Sequence, residues 1–221
     1  MAQLGADVVA LIRKLGHDKA VIVGHDYGAA AAYAAAFTAP ECIEALVGES
    51  VPHGPELAAA LFSDFDQLRR SWYILLFQQP FAEMVVQFND FAFLERLWRD
   101  WSPGIEPPRH LLAEVKRCFS HPGALSAALG YYRTAFAGAP SDPALARVHA
   151  NMSSAPLAVP TLYVHGARDG CVGAAVSERM HTHCSARFER VVVRDAGHFV
   201  HVEQPEAFNA AVSRFLESAP G

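Results

Sequence analysis

The chain has 221 residues, is 52% hydrophobic and 19% charged, and carries a net charge of −5. That composition is ordinary for a soluble globular protein with a sizeable core. No Lys/Arg cluster marks a nucleic-acid surface, and no apolar run nears the about 20 residues that span a membrane.

In chain order, Val8, Leu11, Ile12 and Leu15 fall at helical spacing, and Gly16 ends that run. Residues 20–23 read as a buried β-branched strand. Gly24-His25-Asp26-Tyr27-Gly28 follows, and then an alanine-rich helix over residues 29–38, closed by Pro40. Residues 43–47 read as a second buried strand. Helix, strand, helix, strand implies parallel neighbours and right-handed crossovers.

The texture then changes. From about residue 57 to 148 the chain is aromatic-rich and helical in pattern, with Phe62, Phe65, Leu68, Trp72 and Leu75 at helix-like spacing. Turn residues punctuate it at Pro80, Ser102-Pro103-Gly104, His121-Pro122-Gly123 and Ala139-Pro140. The α/β pattern resumes with strands at 161–164 and 188–193, a helix at 174–181, and a final helix at 205–216 with Pro205 in its first turn. The expected organisation is an α/β core of residues 1–54 and 155–221, split by a helical cap of residues 55–154.

Strand, sharp turn and helix with a small residue on either side form the layout of a nucleophile elbow. The central residue is Asp26. An Asp nucleophile forms an alkyl ester, which points to displacement at saturated carbon rather than acyl transfer. Two later strands end in His165-Gly166-Ala167-Arg168-Asp169-Gly170 and in Arg194-Asp195-Ala196-Gly197-His198-Phe199. Parallel strands share one C-terminal edge, where ligands bind. Asp26, Asp169 and His198 should meet there in the order nucleophile, acid, base.

These motifs resemble those of α/β hydrolases, in the Asp-nucleophile branch that includes epoxide hydrolases. Also similar to that branch are Ser71-Trp72-Tyr73, Phe77-Gln78-Gln79-Pro80, Gly130-Tyr131-Tyr132-Arg133 and Glu203-Gln204-Pro205-Glu206. The resemblance implies a mostly parallel sheet with a helical lid, and opening of an epoxide to a vicinal diol. It implies that Tyr73 and Tyr132 polarise the epoxide oxygen, and that the Tyr27 backbone N–H stabilises an oxyanion. A phenol suits this donor role, because an alkoxide leaves too poorly at neutral pH without a proton. No metal or organic cofactor is implied, and the expected partner is a small apolar epoxide.

The resemblance further implies several strands upstream of the elbow, bearing a His-Gly-x-Pro loop with a second oxyanion donor. Met1 is therefore expected to be an internal methionine of a longer reading frame, or the chain to be shortened. Strand 20–23 would then become a sheet edge. Two other readings stand beside epoxide opening: dehalogenation with the same nucleophile, and a chain that binds a partner or a second copy of itself along that edge. Tyr27 stands where a halide-binding Trp is usual in haloalkane dehalogenases, and residues 27–37 lack the Arg of haloacetate dehalogenases.

Other clusters read as structural. His53-Gly54-Pro55 is expected to be a turn, His181, His183 and Cys184 to be solvated helix-end residues, and Asp195 to be a turn acid. Cys42, Cys118, Cys171 and Cys184 are spread without a C-x-x-C pair. With no basic-then-apolar leader at residues 1–7, they point to reduced thiols in the cytoplasm.

Overall fold

A computed structural model describes residues 1–136 and 142–218. The expected turn at Ala139-Pro140 lies outside them. The chain opens with helix α1 (Ala2–Lys14), strand β1 (Ala20–His25), helix α2 (Tyr27–Thr38) and strand β2 (Ile43–Glu49). After a helical stretch come β3 (Thr161–Gly166) and β4 (Phe188–Val193). The four strands are parallel, in the order β1-β2-β3-β4.

Alternation along the strands feeds two cores. Leu46 and Tyr163 face one way and join Val9, Ile12, Ala32 and Tyr33 of α1 and α2. Val47, Leu162 and Val164 face the other way and meet Phe208, Ala211 and Phe215 of the last helix, Pro205–Glu217. Helices therefore cover both faces, as a parallel sheet requires. The N-terminal strand is less buried than its apolar run suggests. β1 pairs with β2 alone among the described residues, so Val21 and Val23 stay exposed.

Between β2 and β3 the described residues form helices only: α3 (Glu56–Ser63), α4 (Phe65–Arg70), α5 (Trp72–Phe77), α6 (Ala82–Trp101), α7 (Arg109–Phe119), α8 (Ala124–Phe136) and α9 (Ala146–Ser154). The helix-like run from Phe62 to Leu75 is thus three short helices, not one face. Asp64 takes an extended conformation and its carboxylate accepts from the Asp66 and Gln67 N–H groups, which starts α4 afresh. Phe62 and Phe65, which the spacing places on a core face, are 87% and 88% exposed. Helix α6 is interrupted at Phe88–Phe91, where Asn89, Asp90 and Phe91 have positive φ.

The segment expected as a helix at 174–181 forms two 3₁₀ turns instead, Ala174–Ser177 and Met180–His183. The Arg190 guanidinium and the Ser177 hydroxyl both donate to the Ala174 carbonyl, at 2.8 Å each. That occupies the acceptor an α-helical turn would need. The C-terminal part closes with α10 (Val200–Glu203) and α11 (Pro205–Glu217).

Candidate active site

Asp26 is the single residue between β1 and α2. It has φ 52° and ψ −119°, a conformation that costs a non-glycine residue on the order of 1–3 kcal/mol. The surroundings hold it there. Its N–H donates to the Glu49 carbonyl at 3.1 Å, and its own carbonyl accepts from Ala29 and Ala30. A Cβ on Gly24 would lie 2.3 Å from the Gly28 carbonyl oxygen, so the close turn demands glycine there. A Cβ on Gly28 meets nothing within 4 Å. Only one of the two flanking glycines is sterically required.

The two oxygens of Asp26 are used differently. Oδ1 accepts from the Tyr27 backbone N–H at 2.6 Å. Oδ2 lies 3.1 Å from Nε2 of His198. The Tyr27 N–H, expected to hold an oxyanion, rests on the carboxylate itself. Any tetrahedral centre formed at the Asp26 carboxyl carbon would keep that donor on its Oδ1.

His198 is fully buried, with Nδ1 3.0 Å from Asp169 Oδ2. Asp169 is fixed in turn: its Oδ1 accepts from the Cys171 and Val172 N–H groups at 2.7 and 2.9 Å. The three residues singled out from strand ends therefore form one hydrogen-bonded line. Asp195 pairs instead with Arg168 on the surface, at 2.6 Å. Burial opposes the His198 imidazolium, but Asp169 and Asp26 outweigh it and push the pKa up to about 10. Burial likewise opposes the Asp26 carboxylate. The His198 hydrogen bond and charge, His25 and the Tyr27 N–H outweigh that and hold its pKa below the ordinary value.

The backbone around His198 is pinned from several elements. Its N–H donates to the Trp101 carbonyl at 3.1 Å, and its carbonyl accepts from Ser50 Oγ at 2.6 Å and from His25 Nε2 at 3.0 Å. Glu203 accepts from the Gly197 and Phe199 N–H groups and from the Ser102 hydroxyl, tying α10 to the end of α6. The supports from Trp101, Ser50, His25 and Ser102 escape sequence reading, because each joins residues about a hundred or more apart in the chain.

Tyr73 and Tyr132 come from α5 and α8. Their rings meet edge-on with centroids 5.9 Å apart, and Tyr132 also packs edge-on against Tyr27. Both line, with Asp26, Val51, Leu57 and Cys171, a cavity of about 400 Å³. Burial raises the pKa of both phenols, so they are protonated donors across the physiological range. A second cavity, about 350 Å³ and almost wholly apolar, lies beyond the same Tyr27 and Tyr132 and is walled by Trp98, Trp101, Leu125 and Phe199. Tyr131 lines that one and packs on Tyr27.

One neighbour went unread in the sequence. Cys171 is 2% exposed, with Sγ 3.3 Å from the Tyr73 hydroxyl. Its place two residues after a strand-end acid was the available signal. His53 is buried against Tyr33 and Phe37 in a bend before α3, and His183 pairs with Glu56 at 2.8 Å.

A family profile described as "Alpha/beta hydrolase family" matches residues 2–211. The chain belongs to the alpha/beta hydrolase family. Among this chain's curated relatives, epoxide hydrolase 4 of Mus musculus is 28% identical over 218 residues, covering 96% of this chain and 58% of the relative. Epoxide hydrolase 3 of Xenopus tropicalis is 29% identical over 217 residues, covering 96% and 56%. The chain thus spans a little over half the length of these relatives. The structure of an epoxide hydrolase of Bacillus megaterium in complex with an inhibitor superposes with a TM-score of 0.75 at 21% identity, covering 97% of this chain and 75% of that one. That likeness carries the fold. No helix among the described residues is long and apolar enough to cross a membrane.

Proposed function

We propose that this hydrolase opens epoxides to vicinal diols through an alkyl ester on Asp26, with residues 55–154 as a cap over the site. The carrying observation is an Asp, not a Ser, at the elbow, with its Oδ2 3.1 Å from His198 Nε2. In this reading the epoxide lies in the cavity shared by Asp26, Tyr73 and Tyr132. Oδ2 attacks a ring carbon, the C–O bond breaks, and the leaving oxygen takes a phenolic proton from Tyr73 or Tyr132.

Ester formation removes the charge of Asp26, one of the two carboxylates that hold His198 protonated. The imidazolium is then weakened and gives up its proton, which restores the phenol. Neutral His198, kept in the correct tautomer by Asp169, takes a proton from water as that water attacks the Asp26 carboxyl carbon. Charge develops on Oδ1, facing the Tyr27 N–H. Collapse of this centre releases the diol and regenerates Asp26. Two apolar cavities that share Tyr27 and Tyr132 in their walls favour an apolar epoxide.

The test is one turnover of styrene oxide in heavy-oxygen water, followed by peptide mass analysis. Label is expected in Asp26 and not in the first diol released. Label in the first diol would refute the ester.

A further inference from the structure

Cys171 has no part in that reaction, yet it stands among the reacting groups. A carboxylate oxygen of Asp26, the Cys171 Sγ and a ring nitrogen of His198 all lie within 4.8 Å of one another. The Asp26–His198 edge of this triangle is 3.1 Å. Tetrahedral zinc, with bonds of about 2.0–2.3 Å, has donor–donor edges of roughly 3.3–3.6 Å. Modest side-chain rotation would bring the three donors onto such an ion.

The far side of each donor is already held as a ligand shell requires. Asp26 Oδ1 is taken by the Tyr27 N–H, which leaves Oδ2 to point inward. His198 Nδ1 is bonded to Asp169, the carboxylate–histidine pairing that fixes a ligating tautomer and leaves Nε2 for the ion. The Tyr73 hydroxyl can donate to a Cys171 thiolate from 3.3 Å. The donor set is one sulfur, one nitrogen and one oxygen. Calcium and magnesium prefer all-oxygen shells, whereas zinc and its neighbours take mixed ones.

We propose that Asp26, Cys171 and His198 form a three-donor site for a thiophilic divalent cation of the zinc class, with a fourth position open to the cavity. Binding replaces the Cys171 thiol proton, and the imidazolium proton of His198, with the metal; both protons pass to solvent. It also ties up Asp26 Oδ2 and His198 Nε2 together. On the function proposed above, whose validity this consequence needs, the ion is an inhibitor that must leave before turnover.

Cobalt(II) titration of the whole chain tests the site by absorbance, without reference to activity. A near-ultraviolet thiolate-to-cobalt band should saturate at one cobalt per chain and vanish when zinc is added. It should be absent from Cys171→Ala and Cys171→Ser and retained in Cys118→Ala, with circular dichroism reporting the fold of each. Asp169→Asn should bind about 10–100-fold more weakly. A band that persists unchanged in folded Cys171→Ala, or no band in the parent chain at excess cobalt, overturns the site. If the chain turns over styrene oxide, zinc should inhibit it, and folded Cys171→Ala should need about 100-fold more zinc for the same inhibition. Cobalt binding by a chain that leaves epoxides untouched would support the site and refute only the proposed reaction.

Discussion

His25 Nε2 lies 3.0 Å from the main-chain carbonyl of His198, so the residue before Asp26 supports the loop that carries His198. Their rings also meet edge-on, with centroids 4.7 Å apart. Burial foremost, then the neighbouring His198, lowers the His25 pKa to about 4, so it donates as a neutral imidazole at ordinary pH. Replacing His25 by Ala removes this donor and opens space under His198. The expected result is a stability loss of about 1–3 kcal/mol and a fall in kcat with KM little changed. Urea unfolding and steady-state kinetics on styrene oxide check both.

Stability should peak near neutral pH. His25 and His53 are held near pKa 4 by burial, below their unfolded value of 6.5. The unfolded chain therefore binds more protons between those values, and stability falls as pH drops from about 6.5 to 4. His198 is raised to about 10, so its contribution is complete below 6.5 and is lost as pH climbs toward 10. Melting temperature against pH should form a bell centred near 6.5. His53→Gln should flatten the acid limb and Asp26→Asn the alkaline limb; an alkaline limb unchanged in Asp26→Asn would contradict the paired His198.

The two elbow glycines should respond differently. Gly24→Ala drives a methyl to 2.3 Å from the Gly28 carbonyl oxygen, where backbone on both sides would have to move. The expected loss is about 3 kcal/mol or more. Gly28→Ala meets open space at the start of α2 and should be neutral or stabilising by up to about 1 kcal/mol. Denaturant midpoints of the two variants measure the contrast.

On the proposed reaction, the phenols are expected to share one task. Tyr73→Phe and Tyr132→Phe should each lower the single-turnover rate of ester formation by about 10-fold or more. The double variant should lose about 10²–10⁴, the range for a missing general acid. Asp169→Asn should spare ester formation and slow its hydrolysis by up to about 10⁴, because the imidazole would sit in the wrong tautomer. Rapid-quench trapping of the Asp26 ester separates these steps. Equal slowing of both steps in Asp169→Asn would count against the assigned roles.

Local chemistry made much of this molecule legible. Strands at 20–23, 43–47, 161–164 and 188–193 announce themselves by β-branched apolar runs, and Gly24 and Asp26 mark a turn too tight for most residues. Parallel strands end on one edge, so strand order alone was enough to bring Asp26, Asp169 and His198 together. Periodicity failed where side-chain hydrogen bonds compete with the helix, as at Asp64 and at Ala174. An apolar residue at helical spacing also carries no record of what faces it, which is why Phe62 and Phe65 are exposed.

By itself, then, the sequence determined the α/β order, the elbow and its Asp, because backbone sterics and alternation act over a few residues. Tertiary structure decided the rest. It turned the Tyr27 N–H onto Asp26 Oδ1, set Tyr73 and Tyr132 edge to edge across one cavity, and brought Cys171 beside Asp26 and His198. Apart from the Tyr27–Asp26 contact, which a strained backbone sets, those relations join residues far apart in the chain, and packing between elements settles their distances.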